Sequence, residues 1–383
     1  MRVCSHDCGN FAAIRDQNVL IYWPHGFGDF VGLGYVLPFL HPSNRYWITR
    51  FVDHSTALME GIPKVTPVYA GWPPPAEISG YSGEWHFGLK YSQVDGAIHE
   101  VWLPPTLLAV CRRERISVLL WSSYPEVHGR EPFPYHSKAR NLIRHLAGIE
   151  PHANQSLNEA LKNSIAFDVC PWAMRWVESR LRNHTDFGRR QLCIVSRTGY
   201  SSHGKNWGHR YRDASDSSVY REGEECREFM RLMLRKNSRW MFLAMEDRLF
   251  ANDDTVRSRQ LNCFSYAEVF GLASEVGMPF AVVMKALLNL ASLSIGVPTG
   301  PFHLSMAKPG LPTVGIWIEH LPAWYDEPKS TSIHVIGRSV YDRMAGLPGC
   351  FVSRAGLYYR TIASETPTIS GELALAAVEQ IMA

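Results

Sequence analysis

Three short segments of this chain combine glycine, hydroxyl, cationic and acidic side chains where an apolar strand hands over to a helix. The first is His25-Gly26-Phe27-Gly28-Asp29, directly after the apolar run 18–23 (NVLIYW). Glycines let a backbone approach a ligand closely and take up positive φ. In an open α/β sheet, ligands bind beyond the carboxyl ends of the strands, which is where Gly26 and Gly28 must lie. A carboxylate at that place, Asp29, is positioned to take a proton from an attacking hydroxyl. Helix capping accounts for Asp29 equally well on spacing alone, since Asp is a favoured N-cap. Gly26-x-Gly28 begins a dinucleotide fingerprint, but position 31 is Val31, so G-x-G-x-x-G is not completed.

The second segment is Val297-Pro298-Thr299-Gly300-Pro301-Phe302-His303. Pro301 suits the first turn of a helix, where its missing N–H would have no partner anyway. Thr299 and Gly300 then stand at the helix start. Free N–H groups and the helix dipole make an anion site there, and a diphosphate is the natural occupant. Thr299 adds a hydroxyl donor, and His303 falls in the first turn, facing ligand or cleft. A plain helix cap with a packed histidine is the competing reading.

The third segment is Ser196-Arg197-Thr198-Gly199, followed across a short loop by Lys205-Asn206-Trp207. Thr198 and Lys205 are candidates for the same phosphates, against the ordinary alternative of a solvated lysine. Glu246 directly follows the apolar run 240–245 (WMFLAM) and is placed to accept from ribose hydroxyls. A helix cap or a solvated acid is the alternative there.

Strands and helices must alternate to position these groups. Runs 18–23, 46–51 and 116–121 read as strands in the first half, with a helix at 31–40. Runs 191–196, 240–245, 293–297 and 313–317 read as strands in the second half. Helices are expected at 137–147, 173–182, 224–236, 280–290, from 303 to 307 and at 371–382. This βα alternation makes the fold α/β with parallel sheets. The polar stretch 208–225 reads as a long exposed loop.

With 383 residues, two domains are the natural prior. Net charge is only +3 and no block of like charge stands out beyond Arg112, Arg113 and Arg115, which read as a solvated helix end. Nucleic acid is therefore not an expected partner. No apolar run is long enough to cross a bilayer, and residues 1–10 lack a secretory apolar core, so a cytoplasmic location is expected. Peripheral membrane contact stays open, as does the oligomeric state. Cys4, His6 and Cys8 cluster, but a second ligand pair is missing, so a frayed terminus is expected in preference to zinc.

Together these segments resemble the glycosyltransferase family that includes the ADP-heptose:lipopolysaccharide heptosyltransferases (family nine). HGFGDFVGLGYVLPFL, SRTGYSSHGKNW, LAMED and LLNLASLSIGVPTGPFHLSMAKPGLPTVGIW match its motifs in order. The resemblance implies the GT-B architecture, two Rossmann-like domains facing across a cleft. The expected division is an acceptor domain 1–188, a nucleotide-sugar domain 189–365, and a C-terminal helix 366–383 packing back toward the first. It implies an inverting glycosyltransferase that needs no cofactor and moves a sugar from a nucleoside-diphosphate donor to a hydroxyl-bearing acceptor, with ADP-sugars favoured. Asp29 matches the general base, Lys205 the phosphate-binding lysine and Glu246 the acid holding the nucleoside. Thr299, Gly300 and His303 match the phosphate turn and motif histidine.

One position departs from that pattern: the family carries an acid where Pro298 stands. Proline offers neither charge nor N–H, so the resemblance does not fix the sugar. No Asp-x-Asp motif occurs, and Asp253-Asp254 is the closest acid pair, so no metal is expected. A non-catalytic nucleotide-sugar-binding homologue and a nucleotide-sugar epimerase or hydrolase are the alternatives.

Overall fold

In a computed structural model of the chain, the described residues are 2–5, 14–22, 27–34, 40–49, 54–62, 64–68, 89–91, 98–101, 105–121, 165–184, 187–196, 224–245, 260–271, 278–318, 332–345, 360–366 and 368–383. They belong to two units, Met1–Ala166 and Phe167–Ala383.

The first unit contains β1 (Arg2–Ser5), β2 (Asn18–Tyr22), α1 (Phe27–Gly34), β3 (Arg45–Thr49), β4 (Val65–Pro67), β5 (Leu89–Tyr91), β6 (Ile98–Val101), α2 (Pro105–Arg113) and β7 (Val118–Trp121). Among the described residues, five strands form a sheet in the order β1-β7-β2-β3-β4, and every pairing is parallel. β5 and β6 form a separate antiparallel pair. Val19, Leu20 and Ile21 of central β2 are at most 1% exposed. A strand covered on both faces needs an uninterrupted apolar run, which is why β2 was readable. Phe30 and Val31 of α1 are fully buried, as are Ala57, Leu58 and Met59 in the 3-10 turn His54–Met59 against which α1 packs. The buried Asn44 is fully engaged. It accepts from Gln17 N–H at 2.9 Å and donates to Ile14 O and Tyr46 Oη, each at 3.0 Å.

Two expectations change here. The helix expected at 31–40 starts at Phe27, so Gly28 and Asp29 lie inside its first turn rather than in a turn before it. An acidic residue is favoured in a first turn, and burial of Phe30 and Val31 offsets the roughly 1 kcal/mol cost of a helical glycine. The N-terminus is not frayed throughout: Arg2–Ser5 pairs in register with β7, Cys4 opposite Leu120. Gly26, His6, Cys8 and the helix expected at 137–147 lie outside the described residues.

The second unit contains α3 (Pro171–His184), β8 (Gln191–Ser196), α4 (Glu224–Lys236), β9 (Trp240–Ala244), β10 (Cys263–Ser265), α5 (Tyr266–Phe270), α6 (Phe280–Leu290), β11 (Ala291–Gly296), α7 (Gly300–Ala307), β12 (Thr313–Trp317), β13 (Ser332–Ile336), α8 (Arg338–Ala345), β14 (Arg360–Ala363) and α9 (Gly371–Met382). Its seven-stranded sheet runs β10-β9-β8-β11-β12-β13-β14, with every pairing parallel. Side chains alternate along each strand. One face therefore carries Cys193, Val195, Phe242, Leu293, Ile295, Val314, Ile316, Ile333 and Val335, which form one core with Phe229 and Met233 of α4 and Ala374 and Val378 of α9. The other face carries Ser196, Ser294, Gly296, Thr313, Gly315, Trp317, Ser332 and His334.

The units divide at Ala166/Phe167, about twenty residues before the expected 188/189. The cause is α3, which buries Ala173, Val177 and Leu181 and packs on α5 and α6 of the second unit. Residues 366–383 were expected to turn toward the first domain. Within the second unit their helix α9 packs on α4, β12 and β13, with Ala374 and Ala377 fully buried in that contact.

Candidate functional site

From β8 the chain builds outward through β9 to β10, then returns to β8's other side and builds through β11, β12, β13 and β14. Strand order thus reverses between β8 and β11. In open parallel sheets such a switch point leaves a crevice at the strands' carboxyl ends, because the connections leave in opposite directions. β8 ends there at Ser196 and β11 at Gly296, and the two residues are register partners. Val297 N–H donates to Ser196 O at 2.8 Å and locks the two ends together. A Cβ on Gly296 would lie 2.4 Å from Ser196 O and 2.6 Å from Ser196 Cβ, so only glycine lets the strands approach this closely. Ser196 is 2% exposed, and its hydroxyl has no hydrogen-bond partner among the described residues. A buried hydroxyl left this way costs about 1–3 kcal/mol, which a ligand at the crevice would recover. Sequence reasoning singled out Thr198 in the following loop and passed over Ser196. Nothing in its type marks it, and only the β8–β11 register reveals it.

Helix α7 starts at the same edge. Thr299 is its N-cap, with extended backbone (φ −126°, ψ 166°), and its Oγ1 accepts from Phe302 N–H at 3.4 Å. His303 N–H donates to Thr299 O at 2.9 Å and Pro301 has no N–H. In the first turn this leaves the Gly300 N–H with no acceptor among the described residues. A hydroxyl that accepts one bond still donates one. Thr299 O–H and Gly300 N–H are therefore two adjacent donors at the positive end of a helix, a suitable mount for an anion. The cap reading and the anion reading of Thr299 are compatible, because they use different lone pairs and protons. Pro298 sits in the bend between β11 and this cap.

The His303 ring is 3% exposed and meets Phe302 edge-on, with centroids 6.2 Å apart. Packing is thus part of its job. Phe302 also meets Trp317 edge-on at 6.3 Å, and the Trp317 indole N–H donates to His334 Nδ1 at 2.6 Å. Register rows explain this cluster: Ser196, Gly296, Gly315 and His334 stand opposite one another across four strands. A Cβ on Gly315 would lie 2.4 Å from Trp317 Nε1 and 2.8 Å from His334 Nδ1, so glycine clears room for the indole–imidazole bond. Burial lowers the His334 pKa to about 3, which keeps the ring neutral and its Nδ1 an acceptor.

Of the other candidates, Gly28 and the backbone of Asp29 lie in the first turn of α1, after β2, in the first unit. The Asp29 side chain, Thr198, Lys205 and Glu246 lie outside the described residues. Their flanking strands lie on one side of the switch point: β8 ends just before Thr198, and β9, its neighbour away from β11, ends just before Glu246.

Among solved structures, E. coli ADP-heptose lps heptosyltransferase II is similar with a TM-score of 0.54 and 10% identity, covering 95% of this chain and 98% of that one. A glycosyl transferase of family 9 from Veillonella parvula DSM 2008 is similar with a TM-score of 0.53 and 12% identity, covering 96% and 97%. Both are GT-B glycosyltransferases. The chain has the GT-B fold. No protein-family model and no curated protein sequence matches it. At these identities the likeness is one of fold, and it agrees with the doubly wound strand order of the second unit. Among the described residues no helix is long and apolar enough to cross a membrane.

Proposed function

We propose that this chain is an inverting glycosyltransferase that moves a sugar from a nucleoside-diphosphate donor to an acceptor hydroxyl. The observation that carries the reading is the meeting of the α7 N-terminus with the β8–β11 switch point, where two free donors and a buried hydroxyl converge. The donor diphosphate lies against Thr299 O–H and Gly300 N–H, with Lys205 adding a cation from the loop after β8. Glu246 holds the ribose after β9. The acceptor oxygen attacks the anomeric carbon from the face opposite the diphosphate, and its proton passes to the Asp29 carboxylate. The bond from the anomeric carbon to the phosphate oxygen breaks, and its electron pair leaves on the diphosphate. Fixed donors aimed at that growing charge lower the barrier without reorganising during the step. No metal ion or cofactor is required in this scheme.

Pro298 directs the sugar question elsewhere, since it offers neither charge nor donor to the glycosyl ring. ADP-sugars are the first donors to try, on the strength of the sequence resemblance. The test is a thermal-shift screen with ADP-, GDP-, UDP- and TDP-sugars, followed by turnover with and without acceptor alcohols. One nucleotide base should raise the melting temperature, since ligand at 100 times its Kd stabilises by about 2.7 kcal/mol. Donor consumed at full rate without any acceptor would replace transfer by hydrolysis or epimerisation. No shift with any nucleotide sugar would sink the proposal.

A further inference from the structure

We propose that the second unit carries a further anion site, for phosphate-class oxyanions, at the amino-terminal edge of its sheet. The site is a cleft of about 640 Å³ whose lining includes Arg189, Arg190 and Arg239. Its walls are the chain entering β8 and the chain entering β9. These strands are parallel neighbours, so both begin at this edge, with Gln191 opposite Trp240.

Backbone and amide bonds hold both walls. Gln191 N–H donates to Arg239 O at 2.9 Å, and Arg190 N–H donates to Phe187 O at 3.0 Å. Asn237 Nδ2 donates to Gln191 Oε1 at 3.0 Å, and its Oδ1 accepts from Arg239 N–H at 3.0 Å. Arg190 Nη1 reaches across to Ser238 O at 3.3 Å. The three arginines thus spring from a fixed frame rather than from a loose loop.

The charge pattern points to a ligand. Among the described residues no Asp or Glu lines the cleft. Elsewhere in this unit several cations do have a carboxylate: Arg182 pairs with Glu178, Arg231 and Arg235 with Glu228, Lys236 with Glu379, and Arg338 with Asp342. Arg189 and Arg239 have no carboxylate partner among the described residues. The Arg189 and Arg239 guanidinium groups line one concavity and repel one another until an anion joins them. Their planar forks match phosphate oxygens two at a time. The cleft volume falls in the range of small-molecule sites. β8 spans six residues, so this edge lies roughly 17 Å from the Ser196–Gly296 crevice and is a different site.

Two sources supply such an oxyanion, a soluble phosphate compound and a phospholipid headgroup, and one experiment with two arms separates them. Equilibrium dialysis measures pyrophosphate bound per chain, and sedimentation measures binding to phosphatidylglycerol vesicles against phosphatidylcholine vesicles. The full chain is compared with Arg189→Gln/Arg239→Gln and with Gly188→Glu. Gly188 lines the cleft and a Cβ there meets nothing within 4 Å, so Gly188→Glu adds a negative charge beside the arginines without a clash. An unchanged melting temperature certifies each variant. The wild type should hold one more pyrophosphate per chain than the variants, or pellet with the anionic vesicles while the variants do not. Affinity should fall about tenfold for each guanidinium removed. The arm that responds names the source. Equal binding by wild type and both variants in both arms would overturn the site, and would leave the proposed transfer reaction untouched.

Discussion

The Trp317 indole donates to His334 Nδ1 at 2.6 Å, and both rings are at most 1% exposed beneath the start of α7. Phe302 of α7 packs edge-on against that indole. The pair therefore supports the helix whose first turn carries Thr299 and Gly300. It also makes stability depend on pH. The folded His334 titrates near 3, below the ordinary value of 6.5 that it regains on unfolding. Between those values the unfolded chain binds a proton that the folded chain does not. Stability is thus full above about pH 6.5 and falls as pH drops, by about 1.4 kcal/mol per unit. Urea unfolding at pH 7.5 and pH 5 should differ by about 2 kcal/mol from this residue. His334→Gln should shrink that difference while lowering stability at pH 7.5. An unchanged difference in the variant would show that other groups set the acid sensitivity.

Thr299 links helix stability to ligand binding. Its Oγ1 caps Phe302 N–H, so Thr299→Ala should cost about 1 kcal/mol of stability. The same change removes the O–H donor, so the affinity for the preferred nucleoside diphosphate should fall as well. Thr299→Ser keeps cap and donor and should restore both. Calorimetric titration of the three proteins checks it. Lower stability with unchanged affinity in Thr299→Ala would reduce the residue to a cap.

Gly296 and Gly188 make a matched pair of controls on packing. An alanine methyl at 296 would sit 2.4 Å from Ser196 O, a backbone atom already holding Val297 N–H. Neither strand can yield without loss of that bond, so Gly296→Ala should destabilise by about 1–3 kcal/mol. Gly188→Ala meets open space and should be within about 0.5 kcal/mol of wild type. Denaturant midpoints decide it. A neutral Gly296→Ala would mean that the β8 and β11 ends are not held together as described.

These residues also show what could be read before the structure. β8, β9 and β12 were legible because strands buried on both faces need uninterrupted apolar runs, and LCIV, WMFLA and TVGIW are such runs. β13 was missed because Ser332 and His334 break its pattern. The tolerance of His334 depends on Trp317 of the neighbouring strand, seventeen residues away, and no local rule reports that pairing. Thr299 and Gly300 were legible because a strand followed by Pro-Thr-Gly-Pro can hardly do anything except start a helix. Ser196 was not, because an ordinary serine becomes a site residue only through the strand beside it. The division at Ala166/Phe167 was not legible because α3 reads as an amphipathic helix whose partners, α5 and α6, come eighty residues or more later in the chain.

Asp29 is the position on which the proposed chemistry turns. It follows β2 in the first turn of α1, at the carboxyl end of a central parallel strand, where a carboxylate belongs if it is to meet substrate. Asn keeps the shape but cannot take up a proton. Asp29→Asn should therefore leave the affinity for the donor nucleotide within about twofold and cut kcat roughly a hundredfold or more. Lys205→Ala should act in the other sense, weakening nucleoside diphosphate binding, since a cation on the phosphates serves the ground state as well as the departing charge. Parallel kcat and Kd measurements on the two variants separate the roles. If Asp29→Asn turned over at the wild-type rate, another group would have to accept the proton, and Asp29 would return to the plain role of an acid favoured in the first turn of its helix.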